Sequence, residues 1–105
     1  MKARTIDIET IVKCYHSLVP TGHWFDRDTC RFFGCRLPKV AYVRDDGVSF
    51  FVTSEDNFDR TARLYTVRVQ TNDGEIDTVG DFQAYRDGAT ARKLARRLAT
   101  ASLID

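Results

Sequence analysis

The 105-residue sequence predicts an α+β fold: a four-stranded antiparallel β-meander packed with two N-terminal helices, one of them short, and a C-terminal helix. Three observations carry this expectation. Apolar residues near the start recur at three- and four-residue spacing; residues 39 to 80 run β-rich around two Gly-containing turns; and a helical period returns after Asp87.

In the first segment Ile8, Ile11, Val12, Tyr15 and Val19 mark one face of an amphipathic helix. Asp7 stands where an N-cap is needed, with Ile6 before it and Ile11 after it as a hydrophobic staple; Pro20 and Gly22 end the helix. In HWFDRDTCRFFGCRLP, residues 23–38, a cap at Asp26 starts a short helix from Arg27 to Phe33. Phe25 and Cys30 then form a second staple, and Asp28 complements the positive end of the helix dipole. Gly34 ends this helix in a left-handed conformation that turns Cys35 back toward Cys30.

The meander follows. KVAYVR, the turn Asp45-Asp46-Gly47 and VSFFVT read as one hairpin; LYTVRVQ, Asn72-Asp73-Gly74 and EIDTV read as another. The polar run SEDNFDRTAR is the longer connection between them. Gly80 marks a bulge or turn after which Phe82 and Tyr85 fold back on the core. Asp87 and Gly88 open the last helix, with Ala91, Leu94, Ala95 and Leu98 as its apolar stripe and Arg92, Lys93, Arg96 and Arg97 opposite. One globular domain spanning residues 1–105 is expected, with 43% apolar and 11% aromatic residues to build its core.

Composition restricts function. Sixteen Lys and Arg against fifteen Asp and Glu leave a net charge of +1, so no global field draws nucleic acid or an anionic membrane. The start, MKARTIDIETIVKCYHSLV, is interrupted by Asp7, Glu9 and Lys13 and lacks the apolar run of a signal peptide. With three cysteines and no transmembrane-length stretch, a soluble protein of a reducing cytoplasm is expected.

The residues that invite a chemical reading are His23, Cys30 and Cys35. Zinc needs four ligands of good geometry; Cys14 and His16, two residues apart on one helix, point in different directions and do not complete the set. A cysteine hydrolase would need His16 or His23 as base, yet no oxyanion-hole or nucleophile-elbow sequence flanks either. Phosphate loops, metal-binding helices and kinase motifs are missing too. No cofactor, metal or catalytic residue is therefore expected.

Charge distribution is more informative. Asp73, Glu75, Asp77 and Asp81 form an acidic stretch free of bases, whereas Arg86, Arg92, Lys93, Arg96 and Arg97 face only Asp87 in the next. An acidic sheet edge and a basic helix are expected, either of which could meet a partner. Phe50 and Phe51, adjacent in one strand, point to opposite faces, so one of them beside Arg44 or Arg68 could stack a base unless both faces are covered.

TGHWFDRDTCRFFG, FFVTSE, LYTVR and IDTVGDFQAYR together resemble a family of small, mostly uncharacterised proteins encoded by phages and prophages, over Thr21 to about Ala95. The resemblance implies expression in the cytoplasm of a bacterial host. It directs the functional expectation to a non-catalytic protein that inhibits or modulates a host protein or ribonucleoprotein complex, with anti-CRISPR activity as its sharpest form. The alternative is a small nucleic-acid-binding accessory protein using the basic helix and sheet aromatics. Monomer and homodimer both fit.

Overall fold

The alternation between residues 39 and 80 forms a meander, and the N-terminus adds a strand to it. The computed structural model of the chain describes residues 4–11, 34–57, 59 and 61–100. Its strands are β1 (Arg4–Asp7), β2 (Val40–Val43), β3 (Ser49–Asp56), β4 (Arg63–Gln70) and β5 (Ile76–Thr78), and the sheet order follows the chain, antiparallel throughout. Helical residues 8–11 (α1) and Gly88–Thr100 (α2) accompany it.

Two expectations are corrected. The sheet has five strands, because Arg4–Asp7 pairs with β2, from Arg4↔Val43 to Asp7↔Val40. Ile6 thus sits in an edge strand opposite Ala41, 37% exposed, where a staple was expected. Among the described residues two helices, not three, are present. The predicted short helix from Arg27 to Phe33 and the first helix beyond Ile11 lie outside them, while Ile8 and Ile11 are buried as the helical period requires.

Both hairpin loops are built alike. Arg44 N–H donates to the Val48 carbonyl and Gly47 N–H to the Arg44 carbonyl; Thr71, Glu75 and Gly74 repeat the pattern. Gly47 and Gly74 each have φ of 91°, the left-handed conformation that a tight turn followed by a G1 bulge reserves for glycine. Asp46 and Asp73 occupy the same position in the two loops. Asp46 accepts two hydrogen bonds from the Arg44 guanidinium, at 3.0 and 2.9 Å, and one from Val48 N–H.

The eight-residue hairpin of β3 and β4 is the centre of the sheet, paired from Ser49↔Gln70 to Asp56↔Arg63. Strand β3 therefore runs on through Glu55 and Asp56, and the polar connection shrinks to residues 57–62. On one face Phe50, Val52 and Val67 pack against Ala91, Ala95 and Ala99 of α2, with Tyr42, Tyr65, Leu94 and Leu98 around them. Alanines at four-residue spacing let the helix approach closely. Burying a side chain such as Phe50 contributes about 1.5–3 kcal/mol.

The other face is buried as well, but it is polar. Phe51, Thr53, Glu55, Thr66 and Arg68 are each at most 2% exposed. Phe50 and Phe51 thus point to opposite faces and neither is open to stack a base. The chain then turns at Gly80, φ 76°, and Tyr85 returns to bridge Tyr65 through two backbone hydrogen bonds. Phe82, expected on the core, is instead 44% exposed, with the Arg68 guanidinium 5.4 Å from its ring centre. No helix among the described residues is long and apolar enough to cross a membrane.

Candidate functional site

Helix α2 is held at both ends. Asp87 caps it: its carboxylate accepts from the N–H groups of Ala89 and Thr90, at 3.1 and 3.3 Å, and from the Thr90 hydroxyl at 2.9 Å. These bonds, the Thr90 hydroxyl foremost, hold the Asp87 carboxyl below its ordinary pKa, and the nearby Arg92 charge helps. At the other end the Thr100 hydroxyl donates to the carbonyls of Arg96 and Arg97, and Arg97 stands in the last turn, where a cation complements the dipole.

This framework presents the basic residues on one side. Arg92, Lys93, Arg96 and Arg97 are all exposed while Ala91, Ala95 and Ala99 are buried beneath them. None of the four has an ion pair among the described residues, where the pairs are Arg44–Asp46, Arg63–Asp56 and Arg68–Glu55. The Arg96 guanidinium lies 5.8 Å from the ring centre of Tyr42, a cation–π contact that steadies it at the sheet margin. Arg86 is exposed in the loop ahead of the cap and is not part of the helix.

The acidic stretch gathers at the opposite edge of the sheet. Glu75 and Asp77 are exposed at and beside the edge strand β5, and Asp81 is exposed just beyond it. Asp73 is committed to its turn: it accepts from the Thr71 hydroxyl and from Glu75 N–H, and the first of these foremost lowers its pKa. Asp77 accepts from Thr78 N–H at 2.7 Å. The acidic residues therefore share an edge, but part of their bonding capacity is used locally.

A second cluster is one that sequence reasoning did not find. Beneath Phe82, the Glu55 carboxylate accepts from the Thr66 hydroxyl at 2.7 Å and lies 3.7 Å from Arg68 Nη2. Arg68 donates further to the hydroxyls of Thr53 and Thr78, at 2.9 and 2.7 Å. The thiol of Cys35 is 3.9 Å from the other Glu55 oxygen. The available signal was register: Phe51, Thr53 and Glu55 alternate onto one face, and the hairpin sets Arg68 opposite Phe51 and Thr66 opposite Thr53, so that Thr66 lies diagonally from Glu55 and Arg68 from Thr53. Buried at 2% each, Glu55 and Arg68 serve the sheet rather than an open reaction centre.

A groove of about 230 Å³ opens at the head of α2. Val52, Leu37, Pro38 and Tyr65 are the apolar part of its lining, and Thr53, Ser54, Arg36 and Arg92 are the polar part. Gly88 makes the wall tight: a Cβ there would lie 2.9 Å from Arg92 Nη1 and 3.1 Å from the Tyr65 ring. The segment carrying Arg36 is fixed by its two-bond bridge to Ser54 and by Arg63, whose guanidinium donates to the Gly34 carbonyl and pairs with Asp56. Gly34 itself has φ of 58°, the left-handed conformation expected there.

His23, Cys30, Cys14 and His16 lie outside the described residues, so the spacing argument about zinc and thiol chemistry stands on sequence alone. Among the described residues no group of three His, Cys, Asp or Glu side chains could hold a metal ion.

No curated protein and no solved structure matches the chain. One family model does, over residues 5–96, which take in all five strands apart from Arg4 and most of α2. The chain belongs to that family, a family of unknown function (DUF7447).

Proposed function

We propose that the protein is a non-catalytic binding protein that docks an acidic macromolecular surface on the outer face of α2 and modulates the complex it engages. The observation behind this reading is the combination of four exposed cations without ion pairs and a helix anchored by a cap, an alanine seam and a bonded last turn. Long cations held on a rigid element lose less freedom on docking than the same residues on a loop, so their attraction is better converted into affinity and on-rate. In keeping with the phage-type resemblance, the complex would belong to a bacterial host, and a CRISPR effector is the sharpest candidate.

The test is affinity capture from the lysate of a CRISPR-bearing bacterium, with the wild type and an Arg92→Glu, Arg96→Glu, Arg97→Glu variant run side by side. A partner held by the wild type and lost by the variant supports the reading; equal capture removes α2 as the docking face. Capture of DNA or RNA with affinity falling steeply as salt rises would instead favour a nucleic-acid-binding accessory protein. The burial of Phe50 and Phe51 takes those two aromatics from that alternative.

A further inference from the structure

The groove at the head of α2 exists because β2 and β3 fall out of step. Strand β2 pairs with β3 at Tyr42↔Phe50, and the next pairing of the same two chains is the bridge Arg36↔Ser54. The chain takes six residue steps from Arg36 to Tyr42 where β3 takes four from Phe50 to Ser54, so two residues bulge out between them. Pro38, with no N–H to offer a ladder, lies in that bulge. The bulge lifts Leu37, 42% exposed, away from β3 and leaves Val52 and Tyr65 as the groove floor.

The electrostatics of this opening are unbalanced. Neither Arg36 nor Arg92 has an ion pair among the described residues, although three other arginines do. Two arginines lining one small groove with Leu37, Pro38, Val52 and Tyr65 favour a planar anion, which Arg recognises bidentately, attached to something apolar. At about 230 Å³ the groove is smaller than the roughly 300–1,000 Å³ of ordinary small-molecule pockets, and suits one or two side chains of a larger partner.

We propose that this groove is the anchor of the docking face and that its occupant is an acidic segment of a partner protein. One carboxylate is shared by Arg36 and Arg92, and a neighbouring apolar side chain covers Val52, Leu37 and Pro38. The inference rests on the reading of α2 as the docking face and names the part of the partner that seats first. A protein segment fits better than a nucleic-acid strand, because Leu37, Pro38, Val52 and Tyr65 offer an apolar side chain contact beside the two arginines.

The experiment measures binding of a fluorescent peptide of alternating Glu and Leu to the full chain, against its Gln-and-Leu twin and an oligo-dT strand of similar length. The wild type is expected to bind the acidic peptide about tenfold more tightly than the neutral twin, one charge-assisted contact's worth. Arg36→Gln, which lies off α2, removes most of that preference. Lys93→Gln with Arg97→Gln, outside the groove, weakens it by at most about threefold, as rim charges do.

Thermal melts of each variant verify folding, and Leu37→Ser, at an exposed position, repeats the test through the apolar contact. Equal binding of the two peptides, or unchanged binding by both Arg36→Gln and Leu37→Ser, overturns the proposal. Should the helix pair lose binding while Arg36→Gln keeps it, the groove fails and the α2 reading stands. If every variant binds as the wild type does, or the wild type binds neither peptide nor oligo-dT, both fall. Oligo-dT binding that Arg36→Gln abolishes, with no peptide binding, overturns a protein occupant in favour of nucleic acid.

Discussion

The sheet separates two kinds of arginine. Arg68 points to the polar face, where Glu55, Thr53 and Thr78 surround it and 2% of it is exposed. Arg92, Arg96 and Arg97 stand on α2, exposed and without ion pairs among the described residues. The first is costly to bury and has been supplied with partners, so it belongs to the fold. The others have no ion pair among the described residues, which is why the functional proposal starts from them.

The largest effect that tests this contrast comes from the buried side. Arg68→Met leaves the Glu55 carboxylate in place with its cation gone, and should lower stability by about 3–5 kcal/mol in urea unfolding. Adding Glu55→Leu to that variant should recover a substantial part of the loss, since a buried pair replaced by apolar groups of similar size is often neutral. A single variant as stable as the wild type would show that the pair is not the constraint described here.

That pair also marks the limit of what the sequence discloses. The hairpins were legible because an alternating run on each side of an Asp-Gly or Asn-Asp-Gly turn has few alternatives, and the turn glycines take the φ the pattern demands. Strand β1 was not: its four residues are all exposed, and a strong helical period begins at the next residue. Glu55 read as part of a polar connection because a lone carboxylate carries no sign of burial; only the register with β4 supplies its cation. The groove was hidden for a similar reason, since it arises from a two-residue mismatch between strands that lie far apart in composition and meet only in the fold. The basic face of α2, by contrast, follows from spacing alone.

An intermediate effect is expected at the helix start. Asp87→Ala removes the acceptor for two backbone N–H groups and should lower the melting temperature by a few degrees. Because folding depresses the Asp87 pKa below its ordinary value of 3.8, its contribution is complete above that pH and fades as the pH falls through the folded value. Melting curves of the wild type and the variant should therefore differ at neutral pH and converge in acid. A constant gap down to the lowest pH would assign the effect to helix propensity instead of the ionised cap.

The smallest effect on stability belongs to the exposed cations of the docking face. Lys93→Gln and Arg97→Gln should each shift stability by no more than roughly 0.5 kcal/mol, since neither side chain touches an ion-pair partner and Gln keeps the helix propensity of the original. Arg97 should sit at the upper end of that range, because its charge in the last turn favours the helix dipole. Urea unfolding of each variant, read beside its capture of the partner, separates the two roles directly. Capture weakened up to about threefold at unchanged stability is what rim charges of a docking face give, whereas capture and stability falling together would mean that these cations, like Arg68, serve the fold.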